Sequence, residues 1–304
     1  MNNSRTKIME RLDNRIAKPA WLKQRLPTAP EYEQVRQLVS RTDLHTVCDE
    51  ARCPNKWECF QNRTATFLLM GPKCTRNCRF CAVQTGPDSL PDPDEPQRVA
   101  AAAAELGLNY VVLTSVTRDD LADGGASVFR AAIQTVRKKL PQALIEVLIP
   151  DFIGSRDALL KVVEADPDVL NHNIETVPRL YETVRPQAVY QRSLDLLDNA
   201  RSINPDMPLK SGIMLGLGEA DDEIEAVLAD LYRAGCRILT MGQYLQPSKD
   251  HLPVARFVPP EEFDAWQERA LSMGFTKAVC GPLVRSSYRA SSCYPGGIDT
   301  MGKN

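Results

Sequence analysis

The chain has 304 residues, 43% of them hydrophobic and 25% charged, an ordinary globular composition long enough to bury a core in one large domain or two smaller ones. A formal net charge of −2 gives no global pull toward nucleic acid or membrane, and no run approaches the roughly 18 apolar residues of a membrane helix. Nine cysteines without an apolar signal region argue against a disulfide framework and for metal ligation, and six of the nine fall between Cys48 and Cys81.

In chain order, the first 25 residues hold seven Lys/Arg against two acids. They lack a secretory h-region, and Glu10 and Asp13 argue against a transit peptide, so the segment reads as the basic arm of a cytoplasmic protein. A Pro-punctuated stretch (Lys18-Pro19-Ala20-Trp21-Leu22-Lys23, then Pro27 and Pro30) leads to a short helical pattern over 32–40, and the cysteine region follows. From Thr66 onward β-type runs at 66–71, 109–115, 144–150, 169–175, 209–215 and 238–242 alternate with helical patterns. Those helices read as 94–107, opened by Asp94 and Pro96 and closed by Gly107, then 127–140, 156–165, 193–203, 221–234 and 260–273. Six β/α units in series predict a parallel sheet or partial barrel, with chemistry at the carboxyl ends of the strands. Residues 289–304, rich in Ser, Gly and polar side chains, read as a mobile tail.

Cys74-x3-Cys78-x2-Cys81 stands just after the first strand of that series, a spacing that arises by chance in about one such chain in a hundred. Three thiolates on one loop can hold three irons of a four-iron cluster and leave the fourth open to a non-protein ligand. With Phe80 before the third cysteine, the motif resembles the radical S-adenosylmethionine superfamily. There an aromatic at that position packs near the adenine, the methionine amine and carboxylate chelate the open iron, and one electron yields a 5′-deoxyadenosyl radical. Lys73, Arg76 and Arg79 flank the triad; their charge would favour thiolate, or they form a solvated basic loop. Zinc is the alternative occupant, although structural zinc favours four closed ligands where this triad supplies three.

Upstream, Cys48-x4-Cys53-x5-Cys59 makes a second triad. That spacing just before C-x3-C-x2-C resembles the lipoyl synthases, in which it holds an auxiliary four-iron cluster. The likeness continues through Lys18-Pro-Ala-Trp-Leu-Lys23, Thr114-Ser-Val-Thr-Arg-Asp-Asp-Leu121, Asp123-Gly-Gly-Ala126, Glu146-Val-Leu-Ile-Pro-Asp151, Asn171-His-Asn-Ile-Glu-Thr-Val-Pro178, Gly242-Gln-Tyr-Leu-Gln-Pro247 and Arg285-Ser-Ser-Tyr288. The resemblance implies an α/β fold, a partial (β/α)6 barrel over 66–282, between an N-terminal arm with the auxiliary-cluster segment (1–65) and a C-terminal serine motif with tail (283–304). It implies two [4Fe-4S] clusters and S-adenosyl-L-methionine, with Ser287 as the fourth auxiliary ligand. Oxygen suits a soft iron–sulfur site less well than thiolate, which fits a cluster that gives up sulfide. The reaction implied is insertion of two sulfur atoms at C6 and C8 of an octanoyl group on a lipoyl carrier domain or H-protein, with a low-potential donor such as flavodoxin or ferredoxin. Nothing points to a nucleic-acid or membrane partner. A biotin-synthase-like sulfur inserter lacks the upstream triad, and a zinc scaffold, with His45 completing a knuckle, is the non-catalytic alternative.

Other residues read less sharply. Ser286 and Ser287 could simply bond backbone. On a strand, Asn171, Asn173 and Glu175 share one face and read as cofactor-binding groups in the barrel lumen, or as partners of neighbouring strands. Gly124-Gly125 would let backbone approach the methionine amine. Arg185, Arg192 and Lys210 are candidates for a carboxylate partner or surface charges. Cys236, Cys280 and Cys293 match no ligand pattern and read as buried thiols, Cys293 alternatively as a tail residue.

Overall fold

The computed structural model describes residues 17–23, 30–62, 65–86 and 89–294; most of the basic arm, Pro27 and positions 295–304 of the predicted tail lie outside them. Strands form at β1 His45–Thr46, β2 Thr66–Leu69, β3 Lys73–Cys74, β4 Gln84–Thr85, β5 Tyr110–Ser115, β6 Leu144–Leu148, β7 Val169–Asn171, β8 Leu209–Leu215, β9 Ile238–Gln243 and β10 Lys277–Gly281. One eight-stranded sheet runs β1-β2-β5-β6-β7-β8-β9-β10, and every pair in it is parallel except β1–β2. The order does not close on itself, so this is a partial barrel of β/α units.

The period of two along each strand decides what lies on either side. Val111, Leu113, Ile145, Val147, Leu170 and Leu239 join the main core with the helices outside. Their neighbours Tyr110, Val112, Val169 and Ile238 face inward and belong to small separate clusters with Ala290 and Cys293. The helices supply matching faces: in Glu95–Glu105 the residues Val99, Ala100, Ala102 and Ala103 are buried, and small side chains permit close approach to the sheet. Glu95 itself is buried at the first turn, where its carboxylate accepts the Met70 amide at 3.0 Å.

Three features depart from the sequence reading. A seventh parallel strand, β10, pairs with β9 from Lys277↔Ile238 to Gly281↔Gly242. The predicted strand 169–175 stops at Asn171; Glu175 adopts a left-handed backbone (φ 66°) and makes only an isolated bridge to Ile213. The tail is also not simply loose: Ala290–Cys293 forms a helical turn with Ala290 and Cys293 buried. It stops the amino-terminal end of the barrel, because it packs on the first residues of β5, β7 and β9. Two glycines make way for the chain that leads there. A Cβ at Gly242 would lie 2.0 Å from the Val284 carbonyl oxygen, and one at Gly212 would lie 3.0 Å from Ser286 Oγ.

Above that plug sits a buried polar cluster. Glu146 accepts from Lys210 Nζ (2.8 Å), Tyr110 Oη (2.6 Å) and Asn171 Nδ2 (3.1 Å), and all four residues are buried. Among the described residues no helix is long and apolar enough to cross a membrane.

Candidate active site

A cavity of about 590 Å³ opens at the carboxyl ends of the strands. Cys48, Cys53 and Cys59 line it together with Cys74, Cys78 and Cys81, so segments separate in the chain face one space. Phe80, Asn173, Glu175, Arg185, Ser286 and Ser287 also line it, as do the apolar side chains of Leu68, Val116, Leu148, Ile213 and Met214. All nine cysteines are free thiols.

The Cys74–Cys81 loop is stitched to its surroundings by backbone bonds. Cys74 ends β3, whose short pairing with β4 closes the loop's base, and Gly86 N–H donates to the Cys74 carbonyl at 2.9 Å. Cys74 Sγ accepts the amides of Arg76 (3.4 Å) and Thr117 (3.3 Å). Thr75 N–H donates to the Thr117 carbonyl (2.9 Å) and Arg79 N–H to the Val184 carbonyl (2.9 Å). From the far side, His251 Nε2 meets the Cys81 carbonyl at 2.9 Å and Leu252 N–H donates to the Arg79 carbonyl at 3.2 Å.

Arg76 is not the solvated loop charge that its sequence context allowed. It is 5% exposed and forks onto Asp119 (Nε, 2.7 Å) and Asp151 (Nη2, 2.5 Å). Burial alone would raise the Asp151 carboxyl, but the Arg76 bonds outweigh it and hold that group at about 2. The loops after β2, β5 and β6 are thereby tied by one guanidinium. Lys73 is half-buried and Arg79 exposed; neither lines the cavity.

The other triad sits on two helical turns, Val47–Glu50 and Lys56–Gln61, with Thr46 Oγ1 capping the first by accepting the Asp49 amide. Trp57, two residues before Cys59, stacks on Tyr32 at 4.7 Å between ring centroids. His45 does not complete this triad: it lines no part of the cavity, and its Nδ1 lies 3.0 Å from Glu50 Oε1. Among the described residues no three Cys, His, Asp or Glu side chains converge as one bound ion would require.

The two serines are distinguished by their bonds. Ser286 Oγ donates to Asn173 Oδ1 at 2.9 Å and accepts from its Nδ2 at 2.6 Å. Among the described residues no hydrogen bond holds the Ser287 hydroxyl, although it lines the cavity beside the upstream triad.

Glu175, Arg185 and Arg285 are among the charged groups that line the cavity. Burial raises the Glu175 carboxyl, opposed by Arg185, Asn173 and Arg285, while burial lowers Arg285 against the pull of Cys53 and Glu175. Arg185 bonds the carbonyls of Asn173 and Ile174 through Nη1 at 3.2 Å, yet its buried Nε has no acceptor. An orphaned guanidinium donor in the cavity wall suits an anionic ligand. Burial pushes the Cys48 and Cys81 thiols up to about 12 and raises Cys53, Cys59 and Cys78. Such thiols stay protonated at neutral pH until a metal displaces the proton, so the donor sets fit iron better than they fit free nucleophiles.

Several sequence candidates fall elsewhere. Asn171 lines no part of the cavity, because it is turned to Glu146 in the buried polar cluster. Lys210 is engaged by the same carboxylate and is fully buried. Gly124 and Gly125 also stay out of the cavity; a Cβ on Gly125 would lie 2.3 Å from Met70 Sδ, and Asp123 Oδ1 accepts the Gly125 amide at the entry of the helix Ala126–Lys139. Arg192 reaches Asp151 at 3.3 Å. Cys293 is 1% exposed, so the tail-residue alternative is overturned; Cys236 is buried and Cys280 half-buried on β10. Sequence reasoning missed Glu58, Asn55, Arg285 and His251, whose partners lie far along the chain; only the adjacency of Glu58 to Cys59 and of Arg285 to the Ser-Ser pair hinted at them.

A family model for the radical SAM superfamily matches residues 68–231, and one for the N-terminal domain of lipoyl synthase matches residues 2–53. The chain is 58% identical to a lipoyl synthase of Desulfotalea psychrophila over 92% of its length and 94% of the relative's. It is 53% identical to one of Chlorobium phaeovibrioides, covering 91% of this chain and 98% of the relative. A third, from Rubrobacter xylanophilus, is 52% identical over 91% and 86% of the two chains. Among solved structures, HydG, a maturase of the [FeFe]-hydrogenase, shares the fold with a TM-score of 0.54 at 14% identity, covering 86% of this chain and 73% of that one.

Proposed function

The chain belongs to the lipoyl synthases of the radical S-adenosylmethionine superfamily, and from that premise we propose that its two triads divide one reaction between them. The enzyme is a sulfurtransferase that inserts sulfur at C6 and C8 of an octanoyl group borne by a lipoyl-domain protein, with S-adenosylmethionine and [4Fe-4S] clusters. Cys74, Cys78 and Cys81 would hold the cluster that receives S-adenosylmethionine; Cys48, Cys53, Cys59 and Ser287 would hold the auxiliary one. When bound, these groups supply a radical able to take hydrogen from unactivated carbon, and the sulfur that replaces it.

The chain's own residues provide the setting. Arg185 offers its unpaired Nε to an anionic group such as the cofactor carboxylate, and Phe80 an aromatic face. Asn173, fixed by Ser286 and Glu175, presents polar edges to the same space. Leu68, Val116, Leu148, Ile213 and Met214 would give the octanoyl chain an apolar wall.

The observation that carries this reading is that six thiols and an unbonded serine hydroxyl line one cavity. Anaerobic turnover of an octanoyl-lysine peptide, followed by mass, tests it. Ser287→Cys should keep its iron and still form 5′-deoxyadenosine while product stalls, since thiolate holds iron more firmly than alkoxide. Full product yield from both Ser287→Cys and Ser287→Ala would overturn the assignment.

We also divide the chain at 1–65, 66–282 and 283–304, with the last segment completing the site begun by the first. A lipoyl carrier domain or H-protein as acceptor, a flavodoxin or ferredoxin as donor, and a cytoplasmic setting complete the proposal; nine free thiols support a reducing compartment.

A further inference from the structure

Ser287 has no hydrogen bond of its own among the described residues, so its position is inherited from its neighbours. One of them is tied directly to the upstream triad. Tyr288 Oη, on the residue after Ser287, donates to Glu58 at 2.9 and 3.0 Å, and Glu58 is the residue before Cys59. Arg289 adds an Nη2 bond to the same carboxylate at 2.8 Å. On the other side Asn55 Nδ2, between Cys53 and Cys59, donates to the Leu283 carbonyl at 2.6 Å.

We infer that Glu58 is a positioning residue that holds the Ser287-bearing segment against the auxiliary triad through Tyr288. This rests on the reading of Ser287 as the fourth ligand. An oxygen donor is a weak partner for a soft iron–sulfur site, so its hold depends on being placed there in advance rather than on intrinsic affinity. A bond between positions 58 and 288 joins the nearest neighbours of two ligands that lie 228 positions apart in the chain (287 minus 59). Arg289 is the lesser partner: its side chain is 51% exposed and that of Glu58 38%, a setting in which an ion pair adds little. The tie therefore acts on local geometry and not on global stability.

The test uses full-length, anaerobically reconstituted Glu58→Ala, Glu58→Gln, Tyr288→Phe and Ser287→Ala, read by hydrogen exchange on the metal-free forms and by iron retained after gel filtration. Glu58→Ala and Tyr288→Phe should speed exchange over 283–293 by about tenfold and leave the central strands unchanged. Iron should fall from about eight to about four per chain, with 5′-deoxyadenosine formation within about twofold of the parent. Glu58→Gln, whose amide oxygen still accepts from Tyr288, should retain most of its iron, and the melting temperatures of the metal-free forms should not move. Unchanged exchange in both Glu58→Ala and Tyr288→Phe, with Ser287→Ala losing iron, overturns the role of Glu58 and leaves the ligand assignment standing. Should Ser287→Ala keep all its iron, the ligand assignment falls. Loss from Glu58→Ala in that case would also refute the inference, because the carboxylate could not be acting through the serine.

Discussion

The two cysteine triads face one cavity but are held in contrasting ways. Cys74–Cys81 is a single loop, bonded along its backbone to the loops after β5 and β9 and anchored by a guanidinium that is 5% exposed. The other site is assembled from two stretches of chain more than 200 residues apart, joined by the buried Asn55 on one side and, on the other, by Glu58 with Tyr288 and Arg289, where the Glu58 and Arg289 side chains are 38% and 51% exposed. A center that must return unchanged after each cleavage benefits from the first kind of hold. One whose sulfur ends in the product benefits from the second, because local opening needs few bonds to break.

The sharpest way to break this comparison is to delete ligands from each side. Single Ala replacements of Cys74, Cys78 or Cys81 should abolish 5′-deoxyadenosine formation. The same change at Cys48, Cys53 or Cys59 should leave it largely intact and stop sulfur insertion. If all six variants lose cofactor cleavage alike, the division of labour is wrong.

Next in size is the anchor. Arg76→Met would leave buried Asp151 with only the longer contact to Arg192 and would strip Asp119 of its guanidinium, and removing one member of a buried pair costs up to about 3 to 5 kcal/mol. Chemical denaturation should show that loss, with Arg76→Lys between the two because it keeps the charge but not the fork. Lys210→Met should be comparably destabilising, and pairing it with Glu146→Gln, which removes the unpaired charge while its amide oxygen still accepts from Tyr110 or Asn171, should restore part of the loss. A selective effect of Lys210→Met on cofactor binding in folded protein would return this lysine to the active site.

A smaller effect comes from His172, which is 2% exposed with Nδ1 against the Ile149 carbonyl (2.8 Å) and Nε2 against Ser193 Oγ (3.0 Å). Burial, aided by Arg185, lowers its pKa from 6.5 to about 4, so the folded state holds the ring neutral while the unfolded chain takes up the proton first. Stability should therefore be full above pH 6.5 and fall as pH drops toward 4, by roughly 3 kcal/mol at most. His172→Asn should flatten that slope in acid denaturation. The smallest change is expected from Ser286→Ala, which removes a bond to Asn173 without touching the proposed ligand; product yield should fall by a few-fold at most.

The six central strands and their helices were legible because each apolar run and each cap carries its signal locally; the helix predicted at 94–107 forms as Glu95–Glu105. β10 escaped notice because Lys-Ala-Val-Cys-Gly is short and begins just after a helix, and it becomes a strand by pairing with β9. The alternating polar residues from Asn171 to Glu175 mimicked a lumen-facing strand, but the chain turns at Glu175, leaving Asn171 in the buried cluster and Asn173 in the cavity. Both triads were visible as spacings. Their anchors were not: Arg76 meets partners 43 and 75 residues away, and Glu58 meets one 230 away.

The stacked Tyr32–Trp57 pair beside the upstream triad carries an optical consequence. The chain has three tryptophans, and Trp57 lies two residues from Cys59, whereas Trp266 belongs to the core packed against the outer helices. Iron–sulfur chromophores absorb in the range where indole emits, so a cluster held by Cys48, Cys53 and Cys59, as proposed, would quench Trp57 fluorescence when present and release it when lost. A chain carrying Trp21→Phe and Trp266→Phe would then report sulfur loss and repair as light, turnover by turnover, without iron being measured at all.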